Sequence, residues 1–116
     1  MATVTRGKLS GLIDGRPVSK YWPSGLTVLH TAINGTTDWD EIWVYCCNLS
    51  THTVGEVLFK WGGVTDPDDY IYLNMRSLQQ WTCVIPGLCL NNGVELGISY
   101  NKGWIGIWGF VNQIRN

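Results

Sequence analysis

Short segments in which apolar and polar residues alternate with a period of two dominate this chain of 116 residues. Residues 94–100 alternate Val, Leu, Ile and Tyr with Glu, Gly and Ser, which is the pattern of a strand with one buried face. Turn signals such as Asn34-Gly35, Pro86-Gly87 and Asn101-Lys-Gly103 separate the segments and leave no room for a helix. The sequence therefore predicts an all-β fold: an antiparallel β-sandwich, jelly-roll or Ig-like, of about seven or eight strands.

Two segments, residues 42–47 and 104–111, are apolar at successive positions and not only at alternate ones. Strands of this kind are covered on both faces. In a small domain we expect one face to pack in the core and the other to contact another subunit. The residues predicted as subunit contacts are Trp43, Tyr45, Ile105 and Ile107.

Residues 1–25 differ from the rest because glycines and prolines interrupt them and apolar residues are few. We expect an extended N-terminal arm over residues 1–25 and one sandwich domain over residues 26–116. The arm has four basic residues and one acidic residue, which suits docking onto an acidic surface; a solvated terminus is the alternative. The residues predicted to contact a partner through the arm are Arg6, Lys8, Arg16, Lys20, Tyr21 and Trp22.

The overall composition indicates an assembly component. Charged residues make up only 15% of the chain. A surface with so few charges suits a protein whose surface is largely covered by neighbouring molecules. The formal net charge of −1 argues against nucleic acid or a membrane surface as a partner. We expect neither a signal peptide nor a membrane helix, because no apolar run of the required kind is present.

Residues that could carry catalysis or bind a metal form no recognisable motif. His30 and His52 belong to no arrangement with a nucleophile and an orienting acid. The acidic residues at 38–41 and 66–69 suit ordinary turns as well as calcium. The cysteines at 46, 47, 83 and 89 lack zinc-site spacing and are interpreted as small buried residues, with a Cys83–Cys89 bridge as an alternative. We therefore expect no enzymatic activity, no cofactor and no metal.

Seven tryptophans are too many for one small core, since each buries roughly 200 Å². Two interpretations compete. Several tryptophans would anchor a protein–protein interface, or they would form a platform on which sugar rings stack. The low charge and the basic arm favour the first. The tryptophans are Trp22, Trp39, Trp43, Trp61, Trp81, Trp104 and Trp108.

Several stretches resemble small structural proteins of tailed bacteriophages. They are Thr27-Val-Leu-His-Thr-Ala32, Asn34-Gly-Thr-Thr-Asp-Trp-Asp-Glu-Ile-Trp-Val-Tyr45, Phe59-Lys-Trp-Gly-Gly-Val-Thr-Asp-Pro-Asp-Asp69, Val84-Ile-Pro-Gly-Leu-Cys-Leu-Asn-Asn-Gly-Val94 and the ending Gly109-Phe-Val-Asn-Gln-Ile-Arg115. Together they cover most of residues 26–115. The chain departs from these proteins in having extra Trp and Cys where aliphatic and small residues are expected.

The resemblance implies a non-enzymatic virion protein, made in the host cytoplasm and built as a β-sandwich. The class of virion protein that it implies first is a capsid decoration or cement protein. Such proteins are often trimeric and clamp neighbouring capsomers from outside. The implied partners are the major capsid protein or other virion proteins. A tail, neck or fibre-associated protein and a carbohydrate-binding module for adhesion to the host remain the alternatives.

Overall fold

The computed structural model describes residues 2–21, 24–62 and 70–116, which form nine strands and one short 3₁₀ turn (Ile13–Gly15). The strands are β1 (Thr3–Lys8), β2 (Val18–Tyr21), β3 (Ser24–Thr31), β4 (Trp39–Asn48), β5 (Gly55–Trp61), β6 (Tyr70–Met75), β7 (Thr82–Leu90), β8 (Glu95–Lys102) and β9 (Trp104–Arg115). No helix of the described residues is long and apolar enough to cross a membrane.

The strands form two antiparallel sheets. The first sheet has the order β1-β9-β4-β7, with β2 also paired to β9, and the second has the order β3-β8-β5-β6. With β1 set aside, the order 2-9-4-7 facing 3-8-5-6 is that of a jelly roll. The predicted all-β antiparallel sandwich is confirmed, and the strand order is the jelly-roll one and not the Ig-like one.

The core lies between the two sheets and follows the predicted alternation. On β4 the side chains of Ile42, Val44 and Cys46 are fully buried and point inward. Facing strands contribute Phe59 and Tyr100, the largest fully buried side chains. Each large apolar side chain buried in this way contributes roughly 1.5–3 kcal/mol, so this inner layer supplies the main driving force for folding.

The N-terminal segment is extended, as predicted, but it forms part of the sandwich. β1 pairs with the second half of β9 and β2 pairs with its first half. Between them, Leu9 and Leu12 are 0% and 1% exposed and belong to the core cluster. The predicted division between an arm and a domain at residues 25 and 26 therefore falls inside β3. The segment belongs to the sandwich because β9 is 12 residues long and the backbone of the segment pairs with its outer edge.

A buried His–Asp pair holds the N-terminal turn against β3 and β4. The backbone nitrogen of Ser10 donates to His30 Nδ1 over 3.0 Å, and His30 Nε2 lies 2.7 Å from Asp40 Oδ2. Because Nδ1 accepts a hydrogen bond, Nε2 carries the proton and donates it to Asp40. Both ring nitrogens are thereby occupied, so this pair ties elements together and leaves no free nitrogen to act as a base.

Candidate binding surface

Four neighbouring aromatic side chains of β4 and β9 lie on the outer face of the first sheet. Because alternate residues of β4 and β9 fill the core, the intervening residues face outward. Trp43 and Phe110 stack with ring centroids 6.0 Å apart, and the centroids of Tyr45 and Trp108 are 5.6 Å apart. Phe110 also contacts Tyr45 at 6.4 Å and Trp108 at 5.9 Å. We call these four residues, Trp43, Tyr45, Trp108 and Phe110, the aromatic row.

Hydrogen bonds fix two of the rings in this row. The indole nitrogen of Trp43 donates to Glu41 Oε1 over 2.7 Å, and Asn112 Nδ2 donates to the same oxygen over 3.1 Å. These two hydrogen bonds, with that from Trp43 the stronger influence, lower the pKa of the Glu41 carboxyl. The indole nitrogen of Trp108 donates to the carbonyl oxygen of Gly15 over 3.0 Å. The row is therefore a pre-ordered surface.

Cationic side chains border the row along β1 and the turn that follows it. The guanidinium carbon of Arg6 lies 4.6 Å from the centroid of Phe110, a cation–π contact. Lys8 is paired with Phe110 in the strand register and donates from Nζ to the carbonyl oxygen of Leu12 over 3.2 Å. Arg16 is exposed immediately before Pro17. We call Arg6, Lys8 and Arg16 the basic border.

A groove opens at one end of the aromatic row. Trp81, which is half-exposed, lays its ring over Gly106 of β9, where an added methyl group would come within 3.2 Å of the ring carbon Cη2. The same methyl group would lie 2.6 Å from Cys47 Sγ, so the glycine leaves room for both side chains. The resulting groove has a volume of about 320 Å³, and its lining residues are Pro17, Tyr45, Trp81 and Trp108.

The loop that carries Trp81 is held by the buried side chain of Asn48. Its Nδ2 donates to the carbonyl oxygens of Thr53, Met75 and Arg76 over 2.9, 3.3 and 3.1 Å. The backbone nitrogen of Asn48 in turn donates to the carbonyl oxygen of Gln79 over 2.9 Å. These bonds connect the end of β4 to residues 75–79. The loop that carries Trp81, and with it one wall of the groove, is therefore held against the sheet.

Comparisons with protein-family models, curated proteins and solved structures give no match for this chain.

The structure separates the four predicted subunit contacts into two groups. Trp43 and Tyr45 lie on the outer face, but Ile105 and Ile107 are 0% exposed and point into the core. The prediction took the wrong face of β9, because both sets of alternate residues on this strand are apolar and periodicity alone does not choose between them. The outward residues of this part of β9 are Trp104, Trp108 and Phe110. Their aromatic character at even positions was the signal available in the sequence.

The predicted arm contacts are placed only in part. Arg6, Lys8 and Arg16 border the aromatic row, as described above. The backbones of Lys20 and Tyr21 lie in β2 beside Ile105 and Trp104. Trp22 lies outside the described residues. Sequence reasoning missed Pro17 and the groove, because Trp81 approaches β9 only through the tertiary fold.

The remaining candidate groups are dispersed or engaged. Within residues 2–21, 24–62 and 70–116, no three His, Cys, Asp or Glu side chains form a group that could hold a metal ion. Asp38 accepts a hydrogen bond from the backbone of Asn116, while the predicted acidic turn at 66–69 lies outside the described residues. All four cysteines are free; Cys46 and Cys47 are buried and Cys89 is exposed. Burial raises the pKa of the Cys46 and Cys47 thiols.

The tryptophans lie outside the fully buried core, as their number predicted. Of the six in the described part of the chain, Trp39 and Trp81 are 40% and 50% exposed, and the other four are half-buried. Trp61 and Trp108 pack against the edge of the core cluster. Two of the half-buried tryptophans, Trp43 and Trp108, belong to the aromatic row.

Proposed function

We propose that this chain is a non-enzymatic virion structural protein, and specifically a capsid decoration or cement protein that attaches to the major capsid protein. The observation that carries the proposal is the aromatic row with its basic border on the outer face of the first sheet. The same function is what the resemblance of the five stretches quoted in the sequence analysis implies. A homotrimer, implied by that resemblance, is part of the proposal.

The energetics of the aromatic row suit attachment to a protein lattice. The four side chains are half-buried in the isolated chain, so a partner would remove their remaining apolar surface from water. At about 25 cal/mol per Å², a few hundred Å² of contact yields several kcal/mol before the costs of association. A symmetric lattice multiplies such modest contacts through multivalency, and ligands that bind only the assembled state stabilise it by mass action.

A carbohydrate-binding function is the second candidate, since jelly rolls occur in both capsid and lectin domains and the fold alone does not decide. The half-exposed ring of Trp81 is the observation that favours it. A sugar, however, needs polar groups beside the stacking ring. The Tyr45 hydroxyl and the Trp81 indole nitrogen in the groove would meet that need, so polar groups alone do not separate the two candidates. The basic border and the largely apolar lining of the groove favour a protein partner.

Co-sedimentation with empty capsids of the virus that encodes the chain tests the proposal. The matched variants are Tyr45→Ser and Tyr72→Ser. Tyr45 lies on the outer face of the first sheet, and Tyr72 is 56% exposed on the second sheet. We expect the wild-type protein to pellet with capsids at a saturable ratio and Tyr45→Ser to bind about tenfold more weakly or worse. Tyr72→Ser should bind like the wild type.

Light scattering on the free protein tests the trimer. A wild-type protein that stays in the supernatant with capsids, or equal losses for the two tyrosine variants, would contradict attachment through the first sheet. If capsid binding fails and the intrinsic fluorescence responds to soluble glycans, the carbohydrate-binding function replaces the proposed one.

A further inference from the structure

We propose that the groove between Trp81 and Trp108 receives a ring side chain, proline or aromatic, from an acidic extended segment of the protein partner. This inference rests on the proposed function and names the chemistry of the partner at one point of the same surface. Four observations carry it: the shape of the groove, its unused hydrogen-bonding groups, its rigid wall and the charge beside it.

The groove has the form of a slot for a flat apolar group. Trp81 and Trp108 supply two of its aromatic walls, and Tyr45 and Pro17 complete the lining. Gly106 lets the ring of Trp81 lie against β9 and not away from it. Grooves lined by aromatic side chains are the sites that hold extended, proline-containing peptides in known recognition domains.

Two polar groups in the lining are available to a bound backbone. The Trp108 indole already donates to the carbonyl oxygen of Gly15. Within the described part of the chain, by contrast, the Tyr45 hydroxyl and the Trp81 indole nitrogen make no hydrogen bond. An extended peptide exposes unpaired carbonyl oxygens at regular spacing. The two donors can pair with such carbonyl oxygens, which a purely apolar ligand does not have.

The Trp81 wall is held in place before any partner arrives. Asn48 bonds to the carbonyl oxygens of Met75 and Arg76, and the backbone nitrogen of Leu78 donates to the carbonyl oxygen of Ser50 over 2.9 Å. Leu78 sits at φ +54°, a left-handed conformation that a leucine adopts only when its surroundings enforce it. A pre-organised wall lowers the ordering cost of binding.

The charge beside the groove selects an acidic partner. Arg16 directly precedes the groove residue Pro17 and is exposed, and Arg6 and Lys8 continue the basic border along the row. The carboxylate of Glu41 is engaged with Trp43 and Asn112 within the chain. Complementary charge raises the association rate and fixes the orientation of a partner, so acidic residues on either side of the inserted ring would meet the basic border.

Selection from a library of random peptides displayed on a carrier, with the folded full chain as the target, tests this inference. The matched variants are Trp81→Ser and Trp39→Ser, because both tryptophans are about equally exposed and Trp39 lies outside the groove lining. We expect selected peptides to combine Asp or Glu with a proline or aromatic residue. Their affinity should fall about tenfold or more with Trp81→Ser, stay unchanged with Trp39→Ser, and weaken with Arg16→Glu and with added salt.

Selection of no peptide, of peptides without that composition, or of peptides that bind Trp81→Ser normally would overturn the inference. So would Trp81-dependent binding of soluble oligosaccharides or Trp81-dependent self-association, since each assigns the groove to another occupant. Capsid co-sedimentation of Trp81→Ser separates the two proposals. If wild type and Trp81→Ser bind capsids equally, the groove inference fails and the proposed function stands. If wild type ignores capsids but selects acidic ring-containing peptides, the proposed function fails and the groove inference stands.

Discussion

The indole nitrogen of Trp108 donates a 3.0 Å hydrogen bond to the carbonyl oxygen of Gly15, a residue 93 positions earlier in the chain. This bond joins the aromatic row on β9 to the turn between β1 and β2. Since Leu9 and Leu12 from the same N-terminal segment are buried in the core, the segment supports the proposed binding face as well as bordering it. The stability of the sandwich and the order of the proposed binding face are therefore coupled at this edge of the first sheet.

Truncation should distinguish two parts of the N-terminal segment. Deleting residues 1–21 removes β1, β2 and two core leucines, so we expect loss of the cooperative fold. Deleting residues 1–7 removes most of the β1–β9 backbone pairing but, among the described residues 2–7, no buried side chain, and should leave the protein folded. The single change Leu9→Ala should lower the free energy of unfolding by about 2–5 kcal/mol. Urea unfolding followed by circular dichroism measures all three; a stable fold without residues 1–21 would refute the assignment of this segment to the sandwich.

The two faces of β9 should respond differently to the same substitution. Ile107 is fully buried, whereas Ile114 is half-buried beyond the aromatic row. We expect Ile107→Ala to lower the free energy of unfolding by about 2–5 kcal/mol, because it leaves a cavity between the sheets. Ile114→Ala should cost about 1 kcal/mol or less. Equal losses in chemical denaturation would mean that the inward and outward faces of β9 are assigned incorrectly.

Asn48 should control the loop that carries Trp81. Asn48→Ala leaves buried carbonyl oxygens without their donor, and each unsatisfied buried group costs about 1–3 kcal/mol. We expect a lower free energy of unfolding and faster amide hydrogen exchange at residues 76–81. Asn74→Ala is the control, since Asn74 is exposed on β6 and should change neither quantity. Unchanged exchange in the Asn48 variant would show that the loop is held by other contacts.

Acidification should release the ring of Trp43. The Glu41 carboxyl has a pKa below its usual value of 4.5 because it accepts hydrogen bonds from Trp43 and Asn112. A lowered folded-state pKa stabilises the protein above the ordinary pKa, and this contribution is lost as the pH falls through the folded value. We expect the Trp43 indole NH resonance to shift only below pH 4.5. In Glu41→Gln, which keeps an acceptor oxygen, that shift should disappear; its persistence would assign the titration to another group.

Much of the fold could be predicted because a period of two is a local property. The alternation in residues 94–100 identified strand β8, and Asn101-Lys-Gly103 predicted the connection between β8 and β9. The N-terminal strands were missed since β1 has no buried side chain, so its sequence has no amphipathic pattern. Its place depends on the backbone hydrogen bonds of β9, which no local pattern reports.

The sequence predicted which kinds of residue form the candidate site, but not which individual residues belong to it. The excess of tryptophan and the low charge indicated a protein–protein interface. Trp43, Tyr45, Ile105 and Ile107 were predicted separately, as subunit contacts of strands apolar on both faces, and Ile105 and Ile107 lie in the core. Trp81 joins the site through the tertiary fold, which places its ring against Gly106 of β9.

The sequence by itself determined that this chain forms short antiparallel strands, that its tryptophans exceed the capacity of the core and that its N-terminal segment is basic. These properties follow from residue type and local spacing. Only the tertiary structure decided which face of β9 is buried, that residues 3–21 complete the first sheet, and that Pro17, Tyr45, Trp81 and Trp108 enclose one groove. The physical reason is that a strand apolar on both faces has no preferred orientation of its own. Its orientation is chosen by the side chains of the opposite sheet that it packs against.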